Sequence, residues 1–255
     1  MNTQLQRLAV ALAQADRILF ITGAGLSADS GLPTYRGVGG LYNGQTDEGL
    51  PIEAALSATM LKENPALCWK YLAEIAQACL TAEPNEGHLV IAELQRRKPG
   101  CWVLTQNVDG YHLAAGSPPE RVIEIHGCLA PLYCLGCGHK STDLAAHLDQ
   151  PLPPRCRSCG GVLRPPVVLF EELLAEHALE RLRAQISEGF DAVVAVGTSA
   201  SFAYIVEPLL RVRNGGGFTA QIDPVASDLS FLVDVHIAGA AADVLPQLVR
   251  HIFAD

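Results

Sequence analysis

The 255-residue chain has little charge: Asp, Glu, Lys and Arg make up 18% of it, while 49% is hydrophobic. An average soluble domain is roughly 25% charged, so this chain is built to bury a large core. That excludes a disordered chain, which needs few apolar residues and a high net charge. Long apolar runs are also missing. None approaches the ~18 residues of a membrane span, so no membrane partner is expected. The opening, MNTQLQRLAVALAQADR, lacks a basic n-region and reads as an amphipathic helix, so cytoplasmic location is expected. The 23 Gly and 16 Pro show no repeating period, which excludes a collagen-like chain. Basic residues are in deficit, 18 against 27 acidic, for a net charge of −9. That disfavours a phosphate backbone as partner, and no nucleic acid is expected. The length fits one large domain, or one domain with a small insert.

Cysteine is present eight times, but a core-rich chain of this length without a secretory signal is no disulfide scaffold. Cys68, Cys79 and Cys101 lie in apolar helical or strand patterns and read as small core residues.

Apolar runs of strand length alternate with helical patterns. The runs are 17–22, 101–105, 121–125, 191–196, 218–222 and 233–237, and the helical stretches are 64–80, 85–97, 173–188 and 240–252. This alternation predicts an α/β fold, with a Rossmann-like parallel sheet and helices on both faces. Residues 131–165 break the pattern and read as a small inserted module. Residues 36–62, with five glycines in 36–51 and no period, read as an irregular functional or mobile loop. The expected division is 1–130 with 166–255 as the main domain, 131–165 as the insert, and 36–85 as a mobile loop and helical part of a small subdomain.

Gly23, Gly25 and Ala28 follow the first strand as G-x-G-x-x-A. Gly23 suits a tight turn, Gly25 a pyrophosphate approaching the backbone, and Ala28 close helix–strand packing. An ordinary dinucleotide fold also places an acidic residue about 20 positions on, at the end of a second strand. Asp47 and Glu48 lie near that distance but on no strand, which disfavours a hydride-transferring dehydrogenase. The longer run GAGLSADSGLPTYRG adds Ser27, Asp29, Ser30, Pro33, Tyr35 and Arg36, more polar chemistry than a phosphate loop needs.

Gln106, Asn107 and Asp109 follow the CWVLT strand, where open parallel sheets bind ligands; a plain capping turn is the alternative. His126 and Gly127 end the next strand, and a lone histidine is more often structural. Gly197, Thr198 and Ser199 end the fourth strand. Cys134-x-x-Cys137 and Cys156-x-x-Cys159 stand 18 residues apart. Two such pairs read as one tetrahedral zinc site, closed by four thiolates and therefore structural, making 131–165 a zinc-ribbon module. A redox role leaves the second pair unexplained, and a nucleic-acid ribbon lacks basic residues.

Together these motifs resemble the sirtuin family of NAD-dependent protein lysine deacylases. Residues 23–36 are similar to GAGxSxxSGIPxFR, residues 105–112 to TQNxDxLH, and HG, GTS and the paired cysteines follow in order. The resemblance implies that NAD is consumed. The acyl-lysine carbonyl oxygen attacks C1′ of the nicotinamide ribose, and nicotinamide leaves. His126 then deprotonates a ribose hydroxyl, which attacks the alkylamidate carbon, and water releases lysine and O-acyl-ADP-ribose. It also implies catalytic roles for His126, Asn107 and Asp109. The cofactor-binding residues would be Gly23, Ala24, Gly25, Ser27, Asp29, Tyr35, Arg36, Gln106, Asn107, Asp109, Gly197, Thr198, Ser199, Asp223 and Ala241. Val167, Val168, Phe170 and Glu171 would meet an acylated-lysine protein substrate, and zinc would sit on the four cysteines. A monomer or weak oligomer is expected.

Besides Leu32 for Ile, Tyr35 for Phe and Tyr111 for Leu within the motifs, the chain departs from the family at three further places. Tyr204 replaces a proline five residues after the GTS serine, Asp223 replaces an asparagine, and Glu171 replaces the glycine of VVxFGE. No arginine stands near Tyr71 to meet an acidic acyl group, so acetyl is the default. The alternatives are a protein ADP-ribosyltransferase or NAD hydrolase using the same pocket, and a non-catalytic NAD- or zinc-binding module.

Overall fold

The computed structural model describes residues 3–33, 45–200 and 202–253. Helix α1 (Thr3–Gln14) leads into strand β1 (Arg17–Thr22) and the short α2 (Ala24–Ala28). Four helices follow: α3 (Ile52–Ala55), α4 (Ala58–Glu63), α5 (Pro65–Thr81) and α6 (Glu86–Arg97). Next come β2 (Gly100–Thr105), α7 (Tyr111–Ala114) and β3 (Val122–Glu124). The insert holds β4 (Leu132–Cys134), β5 (Lys140–Ser141), α8 (Leu144–Leu148) and β6 (Leu163–Arg164). The chain then runs through α9 (Glu176–Glu188), β7 (Ala192–Val196), α10 (Ala203–Asn214), β8 (Phe218–Ile222), β9 (Val235–Ile237) and α11 (Ala241–Ile252).

Six strands form one parallel sheet in the order β3-β2-β1-β7-β8-β9. This is the doubly wound, Rossmann-like order, and it reverses direction between β1 and β7. The register sets Thr22 beside both Thr105 and Val196. The turns that begin at Gly23, Gln106 and Gly197 therefore leave the sheet at one level, around the crevice where such folds bind ligands.

Successive residues of β1 and β7 face opposite sides, as strand geometry requires. Ile18, Phe20, Val194 and Val196 pack with Leu8 and Leu12 of α1, Ile91 of α6 and Leu248 of α11. Leu19, Ile21, Val193 and Ala195 pack with Leu182 of α9 and Leu209 of α10. Each such fully buried side chain contributes about 1.5–3 kcal/mol relative to exposure.

A second core joins α3, α4 and α5 to the three-stranded antiparallel sheet β5-β4-β6. Trp69 of α5 is 1% exposed there, and its Nε1–H donates to the Leu163 carbonyl at 2.8 Å. The insert thus shares its apolar core with the helices before it.

Two segments differ from expectation. Within 36–62, α3 and α4 are helical, and at four and six residues they are too short to show a period. The Ser57 side chain caps α4, accepting from Met60 N–H at 3.0 Å. Helix α10 lies outside the helical stretches read from the sequence, and Pro208 stands inside it. Its missing N–H withholds the helical donor from the Tyr204 carbonyl four residues back.

Candidate functional site

The turn after β1 lies against the turn after β7. Gly23 N–H donates to Val196 O at 3.1 Å and Gly25 N–H to Gly197 O at 2.9 Å. A Cβ on Gly25 would stand 2.6 Å from Gly197 Cα. The glycine at 25 is therefore needed for packing of protein on protein, and its amide is already used.

Beside this turn stands a polar wall. Asn107 is 4% exposed, and its Nδ2 donates to Gly23 O and to Ser27 Oγ, both at 3.1 Å. Ser27 Oγ donates to Asp109 Oδ2 at 2.7 Å. The second Asp109 oxygen accepts Tyr111 N–H at 2.9 Å in a turn just before α7, whose cap residue is Gly110, so Asp109 is not the helix cap. Burial pushes the Asp109 carboxyl above its usual range. Ala24, Ser27, Pro33, Asn107, Val108 and Asp109 line one pocket. Gln106 turns sideways: its Nε2 donates to Thr198 Oγ1 at 2.8 Å and ties the end of β2 to that of β7.

His126 follows β3. Its Nδ1 lies 3.0 Å from the Gln106 carbonyl, and its Nε2 lies 2.7 Å from the Tyr204 hydroxyl. A carbonyl only accepts, so Nδ1 carries the proton and Nε2 is the acceptor. Burial holds the imidazole below its ordinary value, against the opposing pull of the Gln106 bond. Gly127 has φ +77°, and a Cβ there would fall 1.9 Å from the Pro166 carbonyl oxygen. Only glycine lets 166–171 pass so near the histidine.

That segment is held on both sides. Val168 N–H donates to His126 O at 2.8 Å, and Phe170 N–H to Leu56 O at 3.0 Å. Val167 O accepts from Arg164 at 2.5 Å. Glu171 adopts φ +72°, a conformation that favours glycine. Its Oε2 accepts from Thr59 N at 3.1 Å and Thr59 Oγ1 at 2.7 Å, and these bonds pull the carboxyl below its usual range.

The remaining sites surround the same sheet edge. Asp223 directly follows β8, and its Oδ1 accepts Val225 N–H at 3.0 Å. Ala241 begins α11, and the exposed Asp29 accepts the next amide, Ala242 N–H, at 3.1 Å. Ser199 is exposed after β7. Tyr35 and Arg36 lie outside the described residues. His88 and His112 are 0% and 2% exposed and belong to the core behind Ser27 and Thr22.

The four cysteines converge. The sulfurs of Cys134, Cys137, Cys156 and Cys159 all lie within 4.8 Å of one another. Cys134 and Cys159 are 3.4 Å apart, Cys137 and Cys156 3.8 Å. A tetrahedral ion about 2.3 Å from each sulfur separates them by about 3.8 Å, so the set fits zinc. Gly136 N–H also donates to Cys134 Sγ at 3.3 Å, as suits a thiolate ligand.

Reasoning from sequence found these residues but not Tyr204 against His126, nor Thr198 against Gln106. The exchanged proline was the signal for Tyr204, but nothing in the sequence showed its reach.

Fold and site together define a doubly wound α/β protein with a histidine-bearing crevice and a separate four-thiol centre. A family model described as the Sir2 family matches residues 23–203. An NAD-dependent protein deacylase 2 of Pseudomonas aeruginosa is 64% identical over 252 residues, spanning 99% of this chain and 98% of its own. One of Pseudomonas syringae pv. tomato is 63% identical, over 96% of this chain and 98% of its own. A solved Sir2 homolog–NAD complex has a TM-score of 0.85 at 32% identity, over 97% of this chain and 93% of its own. The chain belongs to the Sir2 family, the sirtuins.

Proposed function

We infer that this chain is an NAD-dependent protein-lysine deacylase. The observation that carries the reading is the His126 imidazole, with Nδ1–H fixed on Gln106 O and Nε2 left as an acceptor facing the Tyr204 hydroxyl, beside the buried Asn107–Ser27–Asp109 wall. The names of the two pseudomonad relatives support the activity.

NAD, when bound, supplies an electrophilic ribose carbon and a nicotinamide leaving group. The turns 23–28 and 197–199 would flank its pyrophosphate. Asp223 would accept from the adenosine ribose, and Ala241 would line the adenine. Gln106, Asn107 and Asp109 would hold the nicotinamide ribose and amide; the resemblance gives Tyr35 the task of shielding the nicotinamide pocket and Arg36 that of binding phosphate or orienting the ribose. His126 receives the proton of a ribose hydroxyl; neutral imidazole, kept so by burial, suits that task. Val167, Val168, Phe170 and Glu171 flank the peptide. The related structure of Sir2Af2 bound to a myristoylated histone peptide, TM-score 0.80 at 29% identity, supports a protein substrate. Zinc on the four cysteines ties the insert together and leaves no open coordination position.

Acetyl is the default acyl group. The Tyr71 hydroxyl donates to Glu48 at 2.5 Å, and Lys70 bonds Asp47 and Glu48 at 2.7 and 2.9 Å, so neither greets an acidic acyl tail. No helix among the described residues is long and apolar enough to cross a membrane. The clustered thiols of Cys134, Cys137, Cys156 and Cys159, which must stay reduced to hold zinc, favour a reducing compartment such as the cytoplasm.

The test is incubation with NAD and an acetyl-lysine peptide, following nicotinamide and peptide mass together. A peptide lighter by one acetyl group with matching nicotinamide is expected. Nicotinamide release with the peptide unchanged would instead establish hydrolysis or ADP-ribosyl transfer.

A further inference from the structure

Tyr204 has a ring in the first turn of α10 and a hydroxyl on the nitrogen that must take the proton. The Gln106 carbonyl fixes the tautomer, so the tyrosine O–H donates to Nε2. An imidazole nitrogen has a single lone pair. While this bond stands, no second hydroxyl delivers a proton to Nε2 directly. The tyrosine is also held in place. Its ring stacks on Phe202 with centroids 5.4 Å apart and 12° between planes. It meets His126 edge-on at 6.0 Å and 86°. Burial pushes the phenol up to about 12, so at neutral pH it keeps its proton. A phenol oxygen that donates one hydrogen bond can still accept another.

Building on the deacylase reading above, we propose that Tyr204 is a catalytic proton relay between the substrate's sugar hydroxyl and His126. The sugar O–H bond breaks and its proton passes to Tyr204 Oη. The phenolic O–H bond breaks and its proton passes to His126 Nε2. The sugar oxygen keeps the electron pair with which it forms its new bond to carbon. Tyr204 ends neutral, as it began, and His126 ends as imidazolium with Nδ1–H still on Gln106 O. The proline of the motif that this segment resembles has no hydroxyl, so Tyr204 adds a proton-carrying group at this place.

The experiment compares wild type, Tyr204→Phe, Tyr204→Pro and His126→Ala in two reactions. One is exchange of labelled nicotinamide into NAD with an acetyl peptide present, which precedes the proton transfer. The other is release of deacetylated peptide. Tyr204→Phe is expected to keep exchange within about twofold and to lose deacetylation roughly 100-fold, the scale of one acid–base group. Tyr204→Pro is expected to recover most of the loss, since it opens Nε2 to the sugar hydroxyl. Wild-type deacetylation by Tyr204→Phe would overturn the relay, as would equal loss of both reactions in a variant with an unchanged melting curve. Normal turnover by His126→Ala would instead remove the assignment of the base on which the relay rests. A measurement on the unaltered enzyme needs no variant to fold. Single-turnover deacetylation in mixed H2O and D2O should give a curved proton inventory, for two protons move together, and a straight line would overturn the relay.

Discussion

The Ser27 hydroxyl donates to the Asp109 carboxylate at 2.7 Å, across 82 positions of chain. The same oxygen receives Asn107 Nδ2 at 3.1 Å and faces His88 Nε2 at 3.4 Å. Asn85 N–H bonds His88 Nδ1 at 3.3 Å, which leaves the proton on Nε2 and makes it a donor to Ser27. One hydroxyl thus serves two donors and one acceptor.

Ser27→Ala removes one bond from each of the three groups; Asn107 keeps Gly23 O and Asp109 keeps Tyr111 N–H, while the buried His88 loses its Nε2 partner. An unsatisfied buried group costs about 1–3 kcal/mol, so urea unfolding should show a loss on the order of 2 kcal/mol, with the Asp109 carboxyl rising further. A loss under about 0.5 kcal/mol would mean that water replaces the hydroxyl.

Glu171 sets a backbone penalty against a side-chain gain. A left-handed φ costs an L-residue about 1–2 kcal/mol, and two bonds to Thr59 offset it. Glu171→Ala keeps the penalty and loses the bonds; Glu171→Gly loses both. The alanine variant should therefore melt below both the glycine variant and wild type. An alanine variant as stable as the glycine one would show that the turn relaxes at no cost.

Chelation should reach beyond the cysteines. Removing the metal frees four thiolates beside β4, whose Leu132 and Cys134 pack in the same core as Trp69. In a Trp102→Phe background, a strong chelator is expected to shift Trp69 emission to longer wavelength, and added zinc to reverse it. Unmoved emission after proven metal loss would show that the apolar core alone holds the insert.

Acid should weaken the fold through two histidines. Burial lowers His112 to about 3, helped by its neighbour His88, and burial lowers His88 to about 4. Both lie below the unfolded value of ~6.5. Between those values the unfolded chain binds protons that the folded one refuses. The stability is therefore complete above about pH 6.5 and is lost as pH falls toward the folded values. At pH 5 the loss is about 2 kcal/mol for each histidine. In His112→Leu the difference in unfolding free energy between pH 7 and pH 5 should shrink by about that amount. An unchanged difference would place the proton uptake elsewhere.

Much of this arrangement was legible because strands carry it. The run 191–196 is continuous and β-branched, and it became a strand buried along its length. The paired cysteines were legible because a metal imposes their spacing. Packing between distant turns was not. The G-x-G pattern pointed to a phosphate at Gly25, yet the close neighbour there is Gly197, which only the β1–β7 pairing reveals. Glu171 read as a charge offered to substrate, whereas its carboxylate turns to Thr59, on a helix too short to foresee. Tyr204 showed as a missing proline, and its meaning depends on an imidazole 78 positions away.

The parallel sheet ends on β3 and β9, each only three residues long. A full-length border strand would present a row of unpaired amides and carbonyls on which another chain could extend the sheet. These short borders offer a stray polypeptide little to zip onto. Protein substrates therefore find little backbone to pair with outside the cleft, and a second copy of the chain finds as little at the same borders.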